Sequence, residues 1–250
     1  MRGRVRDTVA ALRVELAQDR AYLLPLRLFI GLGWLRAAAA KAIDPGWYDG
    51  AELTVFLEAQ LGWSQEAFPF YGTLMEAVFL PNAVLLGIAV IVLQAFAGIA
   101  IVAGFYTNAG LLVGLALNVN FILAGRPDPS AFYIVSQLVL FFGGAGAVLG
   151  MDASRWRRHH GSLSVSSTGR EAAAAAHERH AYTVLAGVSV VLAATMAPYV
   201  STLDPATVIE DPAMILVTLA LFAAAAATIR AVGGSRADAV APAAVSQPVA

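Results

Sequence analysis

Hydrophobic residues in this chain come in runs of about twenty, separated by shorter polar stretches. A helix of that length, rising 1.5 Å per residue, covers the roughly 30 Å hydrocarbon core of a bilayer. Leu23–Ile43 is the first such run and Asn82–Tyr106 the second. A third follows a turn at Thr107 and Asn108 and ends near Gly125; the others are Ala131–Gly150, Tyr182–Tyr199 and Ala213–Val232. The pattern predicts an all-α, polytopic membrane protein with six spans. Residues 1–21 read as an amphipathic segment retained on the cytoplasmic side. Residues 44–80 read as a cap with two short amphipathic pieces, Ala51–Leu61 and Phe70–Leu80, broken by Gly62, Trp63 and Pro69. Its aromatic residues suit a membrane interface. Residues 157–180 are expected to be a polar cytoplasmic loop, and 233–250 a disordered tail.

Composition sharpens this picture. Of 250 residues, 59% are hydrophobic and only 13% charged, with mean hydropathy +0.71; a soluble domain carries about 25% charge. The net charge of −1 argues against a nucleic-acid partner. There is no cysteine, so the chain itself supplies no thiolate nucleophile, disulfide exchange or iron–sulfur ligand. The histidines His159, His160, His177 and His180 lie outside the spans, so no haem held between helices is expected, and no metal site either. With both termini in the cytoplasm, the inner segments hold twelve arginines, against Lys41 and Arg126 outside. That asymmetry places the chain in a cell (inner) membrane with its acidic cap on the outer side.

Charges inside the first span draw the most attention. Arg27 lies near one end, Lys41 at the other, and Arg36 close to the middle. A cation at the centre of an apolar helix costs roughly 2.5–3.5 kcal/mol on insertion scales. Arg27 and Lys41 can reach the two surfaces. Arg36 needs an internal partner: a carboxylate, a carbonyl, a water-filled cleft or a ligand. It lies about 180° round the helix from Arg27, so the two do not share a face. The other spans hold the amides Gln94, Asn118, Asn120 and Gln137. Asn118 and Asn120 point about 200° apart, so only one faces a given cleft.

Three stretches carry a resemblance: RLFIGLGWLRAAAAKAIDPGWYDG (Arg27 to Gly50), AGIAIVAGFYTNAGLLVGLALNVNFILAG (ending at Gly125), and GAGAVLGMD (ending at Asp152). Within them Arg27, Gly31, Trp34, Lys41, Asp44, Pro45, Trp47 and Gly50, then Asn118, Asn120, Phe121, Ala124 and Gly125, fit the pattern of the DoxX/DoxD family of small membrane proteins. The chain resembles the form related to thiosulfate:quinone oxidoreductase. The likeness covers about Tyr22–Trp156 and implies a DoxX-like four-helix bundle over 22–156, with two additional C-terminal helices at 181–232. The chain departs from the pattern at Gln94, where the family often has Glu, and at Asn108 and Ala147, where it often has Arg.

The resemblance implies an integral membrane subunit of a quinone-linked oxidoreductase, passing electrons from thiosulfate or a related sulfur compound to membrane quinone. Quinone would be a diffusible co-substrate, with a second redox subunit or a cytoplasmic redox protein as partner beside the lipid bilayer. On this reading Arg36 is the catalytic cation, stabilising the reduced quinone or an oxyanion. Arg27, Trp34, Lys41, Gln94, Asn120 and Gln137 would line the quinone site, Asn120 being favoured over Asn118 because it sits in the family-like Asn120–Phe121 pair. Bland roles stand beside these: an Arg36 ion pair with Glu76 or Asp44, surface anchoring for Arg27 and Lys41, interhelical bonds for the amides, packing for Trp34. Two other functions fit the same residues, a non-catalytic scaffold for redox or sulfurtransferase partners and a small-solute transporter.

Overall fold

The computed structural model describes residues 21–126, 129–147, 150, 167–201 and 211–240, with 147, 167–178 and 233–240 described by backbone alone. All regular structure among them is helical: α1 (Leu23–Ala42), α2 (Ala51–Ala67), α3 (Pro69–Ala103), α4 (Thr107–Leu123), α5 (Ser130–Gly143), α6 (Ser167–Met196) and α7 (Pro212–Val240). Four stretches are long and apolar enough to cross a membrane: Leu23–Ala42, Pro69–Ala103, Arg179–Tyr199 and Pro212–Val232. They mark the chain as a multi-pass membrane protein. Helices α4 and α5 are apolar but shorter.

The first compact unit contains α1 to α5. Helix α1 packs along the Ala83–Ala103 part of α3, that segment packs on α4, α4 on α5, and α5 returns to α1. Glycines set these approaches. A Cβ on Gly98 would stand 2.7 Å from Leu35 Cγ, one on Gly31 2.6 Å from Val102 Cγ2, and one on Gly110 2.8 Å from Ala100 Cβ. Small residues let helices close to van der Waals contact where lipid supplies no hydrophobic drive between them.

The cap is helical, as expected, but its second piece is not separate. Pro69–Ala103 is one continuous helical run in which Met75–Phe79 forms a π turn and Leu80–Asn82 a 3₁₀ turn. Pro81 sits at the start of that short turn, where a missing N–H costs least, and the neighbouring Asn82 Nδ2 donates to the Val78 carbonyl at 2.7 Å. The link between α1 and α2 is fixed locally. Asp44 Oδ1 accepts from Gly46 N at 3.0 Å, Tyr48 donates to the Ala42 carbonyl at 2.9 Å, and Gly50 takes φ +81° with its Cα against the backbone of Val84. Ser64 donates to the Leu123 carbonyl at 3.2 Å, tying α2 to the end of α4.

At the opposite end of the bundle Arg27 is 1% exposed. It is not the surface anchor expected for a residue one turn into the span. Its Nη1 donates to the Ala145 carbonyl at 2.7 Å. Gly104 makes room for the guanidinium: with φ +61° and no side chain it lies against Gly150, and a Cβ there would come 3.2 Å from Nη1. The turn between α3 and α4 is Gly104–Tyr106, slightly before the expected Thr107–Asn108, and Thr107 already begins α4.

The second unit holds α6 and α7. On α7 the buried positions Ala213, Leu216, Ala220, Ala223, Ala224 and Ala227 recur every three to four residues. The expected loop over 157–180 and tail over 233–250 are both shortened, because α6 starts at Ser167 and α7 runs to Val240. Glu171 and the alanines 172–176 are strong helix formers, which accounts for the early start. Residues 1–20, 151–166 and 241–250, and with them the N-terminal amphipathic segment, lie outside the described residues.

Overpacking tests the bundle directly. Gly98→Ala is expected to lower stability by about 1–3 kcal/mol, read as a lower melting midpoint of the purified protein. Adding Leu35→Ala should restore part of the loss; an unchanged midpoint in Gly98→Ala would mean that α1 and α3 do not meet there.

Candidate functional site

At the cap end, the helices of the first unit enclose a cavity of about 500 Å³. Helix α1 contributes Trp34 and Lys41, the α1–α2 link Trp47, and α2 Glu52 and Phe56; α3 adds Val90 and Gln94, α4 Asn118 and Phe121. Arg126 and Tyr133 also line it. The volume is that of a small-molecule site.

Glycines shape this space as well. A Cβ on Gly33 would collide with the Tyr133 hydroxyl, so α5 brings its tyrosine over α1 only because position 33 is bare. The Tyr133 ring meets Trp34 edge-on, centroids 5.9 Å apart at 80°. Deeper in the bundle, the position of a Cβ on Gly114 lies 2.7 Å from Gln137 Nε2 and 2.9 Å from Trp34 Nε1. Gly114 is therefore the bare wall of a polar cradle shared by α1, α4 and α5.

The cradle and the cavity floor hold polar atoms without protein partners. Trp34 Nε1, Gln94 Oε1, Asn118 Nδ2 and both amide atoms of Gln137 make no hydrogen bond among the described residues. All four side chains are at most 3% exposed. Such a group costs about 1–3 kcal/mol when buried unsatisfied. Three donors (Trp34 Nε1, Asn118 Nδ2, Gln137 Nε2) and two acceptors (Gln94 Oε1, Gln137 Oε1) are thus held on α1, α3, α4 and α5.

Charge is confined to the mouth. Lys41 is half-buried, with Nζ 4.9 Å from the Trp47 ring centre, a cation–π contact. The Trp47 backbone is held against α3, where a Cβ on Gly87 would stand 2.6 Å from the Trp47 carbonyl oxygen. Lys41 also lies in the last turn of α1, where the helix dipole favours a cation. Arg126 and Glu52 are exposed at the rim. Neither Lys41 nor Arg126 has an ion pair among the described residues. The site grades from a cationic mouth through aromatic walls to a neutral, hydrogen-bonding floor.

The residues singled out from the sequence divide. Trp34, Lys41 and Gln94 line the cavity, and Gln137 reaches the cradle beside Trp34. Arg27 sits at the other end of the bundle, against Ala145. Arg36 is not in the cavity: it is exposed on the outward face of α1 with Phe29 and Leu32, because α1 turns the stripe Arg27, Ile30, Gly31, Trp34 and Ala38 inward. It has no hydrogen bond or ion pair among the described residues. Glu76 instead accepts from Gln65 Nε2 at 3.2 Å, and Asp44 from Gly46. Asn118, not Asn120, faces the main cavity. Asn120 donates to the Ala116 carbonyl at 2.8 Å, accepts from Tyr71 at 3.3 Å, and borders a second, smaller cavity. Asn118, Glu52, Arg126 and Tyr133 are site residues that the sequence reading did not select. The signal for Asn118 was present: it follows Gly110 and Gly114 at four-residue spacing, on the face that close packing marks as interior.

A scan against protein-family models and searches of the curated proteins and the solved structures return no match for this chain. A substitution tests the geometry of the site. Gln94→Leu removes an unpartnered amide and keeps its volume, so the melting midpoint of ligand-free protein should hold or rise. A fall equivalent to more than about 2 kcal/mol would mean that Gln94 already has a bonded partner.

Proposed function

We propose that this chain is an integral membrane subunit of a quinone-linked oxidoreductase, and that the cavity between α1, α2, α3, α4 and α5 receives the quinone ring. The observation that carries this reading is that Trp34, Gln94 and Asn118, each with a buried polar atom that has no partner among the described residues, line a cavity with aromatic walls, with Gln137 beside Trp34 in the adjoining cradle. A quinone ring is flat and apolar at its faces, and its two carbonyl oxygens accept hydrogen bonds. Trp34 Nε1 and Asn118 Nδ2 are donors of the kind such oxygens need, and an amide such as Gln137 can turn its nitrogen to an oxygen or its oxygen to a hydroxyl. Trp34, Trp47, Phe56, Phe121 and Tyr133 supply ring-sized contacts.

Reduction adds two electrons and two protons to the quinone and gives the quinol. The anionic intermediate is stabilised by hydrogen bonds and by nearby cations. In this arrangement Lys41 and Arg126 take the part that the sequence assigned to Arg36, and Glu52 is the acid placed to hand on a proton from the outer side. The electrons come from a sulfur oxyanion such as thiosulfate or from a partner subunit. The resemblance to the DoxX/DoxD pattern supports this assignment, with a four-helix bundle over 22–156 and two further helices giving six crossings. The arginine asymmetry supports cytoplasmic termini and an outward cap.

The test is quinol formation in oriented membrane vesicles that do or do not contain the chain, with thiosulfate as donor. Protein-dependent reduction is expected. Asn118→Leu should slow it roughly 10- to 100-fold, the effect of losing one hydrogen bond to a charged oxygen. Undiminished reduction in Asn118→Leu would remove the cavity from the reaction, and no protein-dependent rate in either orientation would count against an oxidoreductase.

A further inference from the structure

The main cavity has a neighbour. A second cavity of about 210 Å³ lies between the cap helix α2, α3 and α4. The two share Leu53, Phe56, Val90 and Phe121 as lining residues. In other respects they differ. The first has charge at its mouth and amides on its floor; the second is bounded by Leu86, Ala89, Leu93, Leu117 and Phe79, with the mutually bonded Asn120 and Tyr71 as its polar atoms. Its rim reaches the surface of the apolar helix α3, where Leu93 is 39% exposed. That surface belongs to a stretch long and apolar enough to lie in lipid.

We infer that the second cavity binds the branched hydrocarbon tail of the ligand whose ring occupies the first, so that one amphiphile spans both. This rests on the quinone reading of the main cavity. Three observations lead to it. The shared wall contains two half-buried phenylalanines, Phe56 and Phe121, beside Leu53 and Val90. The polarity changes across that wall in the sense an amphiphile requires, hydrogen bonding on one side and hydrocarbon on the other. The size also fits: at the roughly 30 Å³ that a water molecule occupies, 210 Å³ admits about seven non-hydrogen atoms, between one and two isoprenoid units. The remainder of a longer tail leaves past Leu93 into lipid. The π turn Met75–Phe79 contributes to the enclosure, because it sets Phe79 edge-on to Tyr71 with centroids 5.8 Å apart. Binding strength is then set at two places, with ring chemistry read by the amides and tail branching read by Ala89, Leu86 and Leu93.

The experiment uses the purified full-length protein in detergent, with quenching of its tryptophan fluorescence by two benzoquinones that share one ring. One carries no tail and the other carries two isoprenoid units. Partition into the micelle is the same for every variant, so the ratio of the two dissociation constants, compared between variants, isolates the pocket. Ala89→Phe fills the second cavity and Leu93→Ala strips its rim; both are compared with the unaltered chain. The expected result is unchanged affinity for the tail-less ring and about tenfold weaker binding of the tailed one in Ala89→Phe, with a smaller loss in Leu93→Ala. Equal ratios in all three proteins would overturn the tail site and leave the ring site standing. No saturable quenching by either compound would overturn both.

Discussion

The constraint on which this structure turns is the cost of keeping amides dry. Trp34, Gln94, Asn118 and Gln137 place polar atoms inside an apolar bundle with no protein partner among the described residues. At about 1–3 kcal/mol for each unsatisfied group, the four together rival the roughly 5–15 kcal/mol by which a whole domain is stable. A bundle built only to pack would carry leucine at these places. On the quinone proposal these atoms bond to the ring that enters, and the aromatic walls and cationic mouth suit it. The glycines follow from the same need. Gly114 and Gly33 are bare so that Gln137, Trp34 and Tyr133 can occupy the space beside them.

The two ends of the bundle solve different problems. At the cap end the helices part, and α2 with the Asp44–Gly50 turn roofs the opening. At the other end they close on Arg27, whose guanidinium is held by the Ala145 carbonyl under the Gly104–Gly150 contact. One end is thus closed while the other holds the cavity. Arg36, which sequence logic made the centre of the chemistry, belongs to neither end. It lies about three residues past the middle of α1 on a face shared with Phe29 and Leu32, from which a long side chain can extend toward headgroups.

Much of the fold was legible in the sequence, because hydrophobic run length is a strong signal for apolar helices. Less was legible where local rules compete. Pro81 reads as a break between the cap and the second span, yet the chain stays helical through it, since a π turn and a 3₁₀ turn rearrange the bonding around the missing donor. The site was half legible. Of the amides within spans, Gln94 lines the main cavity and Gln137 lies in the cradle beside Trp34. The choice between Asn118 and Asn120 went to a motif, when the glycine stripe Gly110–Gly114–Asn118 carried the physical information. Arg36 was chosen for its depth along the axis alone; the small and bulky residues Gly31, Trp34 and Ala38 identify the inward face of α1, and Arg36 is off it. Arg126 and Glu52 could not be placed from the sequence, because the cavity gathers them from segments more than seventy residues apart.

The most direct test of the central claim is to find where a quinone touches the protein. An azido-substituted benzoquinone, bound to the chain in membranes and activated by light, leaves a covalent mark that peptide mass spectrometry can locate. The account predicts adducts around Trp34, Asn118 and Tyr133, suppressed by excess unmodified quinone. Competable adducts confined to the outward face of α1 around Arg36, or to α6 and α7, would contradict it.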